Sequence, residues 1–180
     1  ISLVVIATPH NTHFELSLKA IEAGKNVVVD KIMCMNGEQA DEMVKKAMEK
    51  NVILSVFQNR RWDWDFLTVK KVIKEEIIGK IKRIESSITK YKKPTGWRSK
   101  KEDSGGILFD WGAHFVDQAM IIGNYEIESV WCEIQDFKKW QDVDIGNFGR
   151  IIMEFKEDLI YEIFISNLSK FERPRWVLYG

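Results

Sequence analysis

Short apolar runs recur along the first third of the chain, separated by stretches with helical spacing. The runs cover residues 3–7, 26–30 and 52–57, and each is followed by polar or turn-forming residues. Continuous apolar runs of this length are typical of strands in a parallel sheet with both faces covered. We therefore expect three such strands, each buried on both faces.

Two amphipathic helices are predicted between these strands. In the first, apolar side chains recur at i, i+4 and i+7 and a glycine follows the last turn: Phe14, Leu18, Ile21 and Gly24. The second begins after Asn36, which can cap the helix with Gln39 at the capping-box position. Its apolar stripe consists of Ala40, Met43, Val44, Ala47 and Met48. The order strand, helix, strand, helix, strand predicts an α/β unit with a parallel sheet.

The pattern changes after Gln58. A longer helix is predicted over residues 62–77, a strand over 81–91 and a helix over 110–122. Strands then dominate, at about 127–137, 148–155, 159–166 and 175–179, with Glu157-Asp158 at a hairpin turn. This order predicts an α+β domain with a mainly antiparallel sheet and helices on one face. The expected division is an α/β domain over residues 1–58 and the α+β domain over residues 59–180.

Composition narrows the possible functions. Lys and Arg together number 27, as do Asp and Glu, so the formal net charge is zero. A neutral chain gives no electrostatic reason to expect a nucleic acid or an anionic membrane as partner, and no apolar run approaches the ~20 residues of a membrane span. Two cysteines are too few for a disulfide framework, so reduced thiols in the cytoplasm are expected. No metal site is expected, because zinc-type spacing is lacking among His10, His13, Cys34 and His114.

The α/β half lacks the glycine-rich turn that opens a dinucleotide-binding domain. No G-x-G-x-x-G occurs, and the chain begins with Ile1, beside the first predicted strand, rather than with methionine. Either this half is a different small α/β unit, or it is the second half of a Rossmann domain. Under the second interpretation we expect further sequence upstream of Ile1.

Asp110 and His114 are the clearest candidates for acid–base chemistry. They follow the glycine pair Gly105-Gly106 and lie four residues apart on a predicted helix. Positions i and i+4 share a helix face, so both side chains can enter one pocket as acid and base. The alternative is structural, with Asp110 as an N-cap and His114 as a helix histidine whose hydrogen bonds are satisfied.

Polar side chains follow each predicted strand of the α/β half. The carboxyl ends of parallel strands line ligand sites in open α/β sheets, and here they carry Thr8-Pro9 with His13, then Lys31, then Gln58-Asn59-Arg60-Arg61. Desolvation beside a buried strand lowers a lysine pKa, which would suit Lys31 to acid–base chemistry. A solvated surface lysine is the alternative, and His13 can touch a ligand or be structural.

An arginine pair and a tryptophan–arginine pair each allow two interpretations. Arg60 and Arg61 can clamp a phosphate, or they can pair on the surface with Asp63 and Asp65. The polar loop after the strand at 81–91 carries Trp97-Arg98, which can cover a pocket or form an ordinary aromatic anchor.

Four segments together carry a resemblance to a known family. The first is Val5-Ile6-Ala7-Thr8-Pro9 with His13 and then Ala23-Gly24-Lys25-Asn26-Val27, which is similar to a strand, turn and helix with the pattern A-G-K-h-V. The second is Asp30-Lys31-Ile32, which stands in the place of E-K-P. The third is Asn59-Arg60-Arg61-Trp62-Asp63, similar to N-R-R-W-D, and the fourth is Gly106 to Asp117, similar to G-x-L-x-D-x-G-x-H-x-x-D. In this order and spacing they resemble the Gfo/Idh/MocA family of NAD(P)-dependent oxidoreductases. The third segment and Trp97-Arg98 resemble most the branch that holds the scyllo-inositol dehydrogenases.

The resemblance implies a cytoplasmic, two-domain dehydrogenase that passes hydride between NAD or NADP and a sugar or polyol such as an inositol. It implies Lys31, Asp110 and His114 as the residues at the oxidised hydroxyl, and a homo-oligomer formed through the C-terminal sheet. The residues expected to bind the cofactor are Thr8, Pro9, His13, Asn59, Trp97 and Arg98. It also implies that the glycine-rich first half of the Rossmann domain and the tail of the second domain lie outside this chain, so that the chain alone is inactive.

One departure from the family pattern lies beside Lys31. Ile32 replaces the family's proline and Asp30 its glutamate, and the loss of the proline is expected to loosen the placement of Lys31. This substitution favours an alternative function, a non-enzymatic ligand-binding regulator on the same two-domain frame. A third possibility is an interaction module that pairs through its C-terminal sheet. The presence of the lysine, carboxylate and imidazole together favours the enzyme.

Overall fold

The computed structural model describes all of residues 1–180 and contains two separate sheets. The first sheet has three parallel strands in the order β1-β2-β3, which are Leu3–Ile6, Asn26–Asp30 and Leu54–Phe57. Two helices connect them, α1 (His13–Glu22) and α2 (Gly37–Lys50). The predicted α/β unit with its parallel sheet is therefore confirmed.

The first sheet is covered on one face only. Its core lies between the strands and the two helices, and its buried members are Ile6, Ala20, Ile21, Val27, Val29 and Ala47. On the opposite face Val5 is 67% exposed and Phe57 is 55% exposed. Within residues 1–180 the expected burial on both faces is not found, because successive strand residues point to opposite faces and both helices pack on the same one.

The ends of α1 and α2 follow from local chemistry. Gly24 takes the left-handed φ of +68° that closes α1. At α2 the side-chain oxygen of Asn36 accepts a hydrogen bond from the backbone N–H of Gln39 at 2.9 Å, and the Gln39 side chain accepts one from the Met35 N–H at 2.9 Å. The predicted N-cap is confirmed. The buried stripe of α2 is narrower than predicted, since Met48 is 77% exposed.

The second sheet has five strands in the order β5-β6-β7-β4-β8. Their bounds are β4 Arg83–Thr89, β5 Ile127–Gln135, β6 Phe148–Phe155, β7 Leu159–Ser166 and β8 Trp176–Tyr179. The pairing of β4 with β7 is parallel, and the other three pairings are antiparallel. The predicted, mainly antiparallel sheet is confirmed. So is the hairpin turn, where Glu157 and Asp158 both have φ of 62°.

The helices of the second half are shorter than the apolar pattern predicts. They are α3 (Trp64–Lys74), α4 (Lys101–Ser104) and α5 (Ala113–Ile122). The residues before α3 form a separate 3-10 turn, Asn59–Trp62, because Asp63 has a non-helical ψ of 133°. The helix predicted from residue 110 instead opens with a π-helical turn, Leu108–Gly112, which runs into α5.

The main core lies between the five-stranded sheet and the helices on one of its faces. Phe115 of α5 is fully buried against Tyr161 and Ile163 of β7 and Phe155 of β6. The other face is uncovered and polar in part, with Glu162 of β7 in contact with arginines of the two neighbouring strands. No helix of the chain is both long enough and apolar enough to cross a membrane. Cys34 is buried, Cys132 is exposed, and both are free thiols.

Candidate active site

The two halves of the chain meet at an ion pair between Lys31 and Asp110. Lys31 directly follows β2 and is only 8% exposed. Its ammonium donates one hydrogen bond to Asp110 Oδ1 at 2.6 Å and another to the Asp110 backbone carbonyl at 2.8 Å. The lysine is therefore buried and paired across the two halves, and the alternative of a solvated surface lysine is wrong.

The backbone on both sides of Lys31 is held by hydrogen bonds. The Asp30 carboxylate accepts the Lys31 backbone N–H at 2.8 Å, and His13 Nδ1 lies 2.6 Å from the Ile32 carbonyl oxygen. His13 is fully buried, and its Nε2 lies 2.9 Å from the Thr8 carbonyl oxygen. These contacts hold the backbone on both sides of Lys31 where the family's proline is missing, and whether the substitution loosens Lys31 stays a prediction.

Asp110 lies in the π-helical turn and stays ionised. Burial alone would raise the pKa of its carboxyl, but the charge and hydrogen bond of Lys31, with the nearby charge of Arg98, outweigh burial and lower it. Arg98 Nε lies 3.7 Å from the second carboxylate oxygen. Asp110 caps no helix, so that structural alternative is wrong.

His114 is a buried imidazole with the positive charges of Lys31 and Arg60 nearby. It is 6% exposed, and its Nδ1 is buried without a hydrogen-bond partner. Burial first, and then the charges of Lys31 and Arg60, lower the pKa of His114 to about 3. The ring is therefore neutral near pH 7 and can accept a proton. The alternative of a helix histidine with satisfied hydrogen bonds is wrong.

The arginines after β3 are engaged by carboxylates of the protein. Arg60 binds Asp63 at 2.8 Å and lies 4.2 Å from the centre of the Trp111 ring. Arg61 makes two hydrogen bonds to Asp117, at 2.8 and 2.6 Å. The pairing of Arg60 with Asp63 confirms part of the surface-pairing alternative, and the expected partner Asp65 is replaced by Asp117.

The other residues expected to touch a cofactor lie in three places. Thr8 and Pro9 follow the carboxyl end of β1, where the Thr8 hydroxyl bonds the Thr12 hydroxyl at 2.6 Å. Asn59 opens the 3-10 turn after β3 and is exposed. The Trp97 ring packs edge-on against His10 at 4.7 Å, and the Arg98 guanidinium lies 4.3 Å from the Trp97 ring centre.

His10 is a residue of this junction that the sequence reasoning missed. It is 2% exposed, and its Nδ1 lies 2.7 Å from the Ser104 carbonyl oxygen in the second half of the chain. Burial lowers the pKa of His10. Its position directly after Thr8-Pro9, at a strand end that lines ligand sites, was an available signal.

A cavity of about 420 Å³ opens beside Asp110. Its wall includes Asp110, Trp111 and Arg98, together with the loop over residues 90–95 and the end of β7. No group of three or more His, Cys, Asp or Glu side chains is placed to hold a metal ion. Of the three candidate residues, Asp110 lines this space, and the buried Lys31 contacts it through the Asp110 carboxylate.

A parallel α/β unit that joins a second, mixed-sheet unit at Lys31 and Asp110 has the architecture of a Rossmann fragment followed by a second domain. The chain belongs to the Gfo/Idh/MocA oxidoreductases. Residues 66–180 match the GFO/IDH/MocA C-terminal domain, and residues 1–58 match the oxidoreductase family's NAD-binding Rossmann fold. The family, the fold class and the nicotinamide cofactor expected from the sequence are confirmed, whereas the division after Gln58 and the roles of the site residues stay predictions.

Three proteins similar to this chain show how much of a family member it represents. The uncharacterized oxidoreductase C115.03 of Schizosaccharomyces pombe is 33% identical over 158 residues, which are 86% of this chain and 43% of that protein. The scyllo-inositol 2-dehydrogenase (NADP(+)) IolW of Bacillus subtilis is 40% identical over 122 residues, 67% of this chain and 34% of that protein. The NAD-binding protein from Listeria innocua has a TM-score of 0.93 at 31% identity, over 100% of this chain and 51% of that one. The chain thus spans about a third to a half of the length of these relatives.

The residues at the carboxyl edge of the first sheet fit a nicotinamide cofactor. Gln58 directly follows β3, and its side-chain oxygen is buried without a partner, as is Nδ1 of His114. Buried polar atoms in folded proteins are nearly always hydrogen-bonded, so these two are suited to a bound polar ligand. Lys31, at the end of the central strand β2, lies between the first sheet and Asp110.

Proposed function

We propose that this chain is part of a dehydrogenase that moves a hydride between NAD or NADP and a hydroxyl or carbonyl group of a sugar or polyol such as an inositol. The observation that carries the proposal is the convergence of Lys31, Asp110 and a neutral, buried His114 where the two halves meet. The name of the Bacillus subtilis relative, a scyllo-inositol dehydrogenase, supports the substrate class.

His114 is proposed as the group that takes the hydroxyl proton. A general base has to be unprotonated at the working pH, and burial together with the charges of Lys31 and Arg60 keeps the ring neutral. When bound, the nicotinamide supplies the hydride acceptor. In the reverse direction the carbonyl oxygen takes up a proton that is passed to it through the His114 ring.

Lys31 and Asp110 are proposed to hold the substrate oxygen in place. An ammonium has three N–H donors, and Lys31 directs two of them at Asp110. The third is available for the substrate oxygen, whose negative charge grows as the proton leaves. Asp110 fixes the direction of the lysine and offsets its charge in a buried place.

The remaining cofactor contacts are proposed from placement. Thr8, Pro9 and Asn59 follow strands of the first sheet at the edge where the pyrophosphate and ribose lie in Rossmann domains. Both ring nitrogens of His13 face backbone carbonyls, so we assign it to positioning of the loop after β2. Trp97 and Arg98 stand beside His10 and Asp110 and close this side of the junction.

The uncovered face of the second sheet is proposed as the surface for self-association. Trp131 on β5 is 47% exposed, and Arg150 lies 5.8 Å from its ring centre and 5.1 Å from that of Phe164. Aromatic residues with arginine are typical of protein interfaces. Analytical ultracentrifugation of the intact protein and of Trp131→Glu tests this, with a shift toward monomer expected and an unchanged mass contradicting it.

The dehydrogenase activity is tested in the intact protein that contains this chain. A panel of inositols, aldoses and sugar acids is incubated with NAD and with NADP, and nicotinamide reduction is followed by absorbance. Turnover that His114→Ala abolishes supports the proposal. Tight binding of a sugar without any turnover would instead support the non-enzymatic regulator.

A further inference from the structure

The cavity beside Asp110 is strongly basic, although the chain as a whole is neutral. Its wall carries one carboxylate, that of Asp110, and four cationic side chains, which are Lys90, Lys92, Lys93 and Arg98. Across the chain the 27 basic residues are balanced by 27 acidic ones. The excess of positive charge is therefore a local property of this cavity.

Two of these four cations have a partner within the protein. Lys93 pairs with Asp142 at 2.7 Å, and Arg98 lies 3.7 Å from Asp110. Asp110 is shared, because Lys31 already binds it at 2.6 Å. Lys90 and Lys92 have no carboxylate within ion-pair distance, so they leave uncompensated charge at the cavity.

Lys90 and Lys92 stand on a fixed segment of backbone. The Lys90 N–H donates to the Ser166 carbonyl at 2.8 Å, and the Lys92 N–H donates to the Asn167 carbonyl at 3.0 Å. Between them, Tyr91 packs against the Trp140 ring with centres 6.3 Å apart. Alternate residues of an extended segment share a side, and both lysines line the cavity.

The neighbouring wall offers an acceptor as well as these donors. Asn167 lines the same cavity, and its side-chain oxygen is buried without a hydrogen-bond partner. A sugar hydroxyl can donate to such an oxygen. At about 420 Å³ the cavity falls in the range of small-molecule sites, roughly 300–1,000 Å³.

We propose that the preferred substrate is an anionic sugar, meaning a sugar acid or a sugar phosphate, whose charged group binds Lys90 and Lys92. This inference rests on the proposed dehydrogenase function, with the reacting hydroxyl at Lys31, Asp110 and His114. Charge-assisted hydrogen bonds from ammonium groups to carboxylate or phosphate are about twice as strong as neutral ones. A neutral polyol would leave the two lysines without a counter-charge.

The test compares matched sugars on the intact protein. Glucose, glucuronate and glucose 6-phosphate, and the corresponding galactose set, are assayed for kcat/KM and for equilibrium binding by calorimetry. At least one anionic member is expected to exceed its neutral parent by about tenfold or more in kcat/KM, and added salt should reduce that advantage. The carboxylate and phosphate members show which anion is preferred.

Variants assign the effect to the two lysines. Lys90→Gln with Lys92→Gln is expected to lower the anionic-to-neutral ratio of kcat/KM by about tenfold. The matched control is Lys45→Gln with Lys50→Gln, which removes two exposed charges of α2 and should leave the ratio unchanged.

The outcomes separate this inference from the proposed function. Turnover in which neutral sugars equal or exceed the anionic ones overturns the anionic preference and leaves the dehydrogenase standing. Binding of an anionic sugar that depends on the two lysines, but without turnover, supports the assignment of the anion to these lysines and contradicts the dehydrogenase, so the sugar would be a ligand and not a substrate. An absence of both binding and turnover overturns both.

Discussion

The same nearby positive charges determine the protonation states of Asp110 and His114. The positive charges of Lys31 and nearby arginines lower the pKa of the Asp110 carboxyl and that of the His114 imidazole. Burial opposes the shift at the carboxylate and adds to it at the imidazole. The result is an ionised carboxylate beside a neutral imidazole, and a neutral imidazole is free to accept a proton, as the proposed role of His114 requires.

His114→Ala should reduce turnover far more than it weakens cofactor binding. Loss of a general base typically lowers the rate by about 10²–10⁴-fold, whereas the dinucleotide is expected to lie mainly on the first sheet. The measurement pairs steady-state kcat with the Kd for the nicotinamide. Asp110→Asn serves as a comparison with a smaller loss of kcat, and near-normal turnover in His114→Ala would return the histidine to a structural role.

The lowered pKa of His114 also predicts how stability depends on pH. The unfolded histidine takes up a proton below its ordinary pKa of 6.5, while the folded one does so only near pH 3. The free energy of unfolding should therefore fall as the pH drops below about 6.5, by up to about 2 kcal/mol near pH 5. His10 contributes in the same direction, because burial lowers its pKa too.

Denaturant unfolding near pH 7 and near pH 5 measures this effect. His114→Gln stays neutral at both values, so its free energy of unfolding should lose less on acidification than that of the wild-type protein. Asp110 does not interfere in this range, since its lowered pKa affects stability only below about pH 4. An identical loss in both proteins would mean that His114 is not held neutral by the fold.

At the scale of elements, the π-helical turn before α5 decides how the site is presented. Gly105 ends α4 with φ of +83°, and a side chain there would overlap the ring of Phe109 in the π-helical turn. Single π turns inside helices are frequent at functional sites. The close approach of Gly105 to Phe109 therefore holds the turn that carries Asp110 against the end of α4.

Gly105→Ala should destabilise the protein by about 1–3 kcal/mol, from its left-handed φ and the overlap with Phe109. Gly37→Ala is the matched control, because it is the first residue of α2 and an added Cβ would meet nothing within 4 Å. The control should be neutral or slightly stabilising. Equal free energies of unfolding for the two variants, measured in denaturant, would contradict the proposed packing of the turn.

Elements with local signals were predictable from the sequence, and those set by distant contacts were not. The cap at Asn36 and the turn at Glu157-Asp158 depend on neighbouring residues, and both are confirmed. The π-helical turn and the exposure of Val5 depend on which surfaces are covered in the folded chain. Spacing therefore located the helices and strands but not the covering of each face.

The candidate site, too, was predictable from local sequence signals only in part. Its three central residues were predicted, because strand ends and helix spacing are readable in sequence. The contact of Lys31 with the Asp110 backbone and that of His10 with the Ser104 carbonyl join positions far apart in the chain, so no local pattern shows these pairings. The lysines at 90 and 92 lie in a polar loop that lacks a motif, and only their common cavity connects them with Asp110.

At the scale of the whole molecule, the site exists only where the two halves touch. Lys31 binds Asp110, His10 binds the Ser104 carbonyl, and Asn11 donates to Asp103 at 2.8 Å. Each contact joins the first sheet's loops to the segment around α4 and the π-helical turn. The residues proposed to react therefore come from both halves, as expected if the cofactor lies on one domain and the substrate on the other.

The most direct test of this account follows the hydrogen itself. A polyol or sugar substrate carrying deuterium on the carbon of the reacting hydroxyl is incubated with the intact protein and oxidised nicotinamide. The account predicts one deuterium in each reduced nicotinamide, detected by mass spectrometry, and strong suppression of the transfer in His114→Ala. Reduced nicotinamide without deuterium, or transfer that proceeds unchanged in His114→Ala, would contradict it.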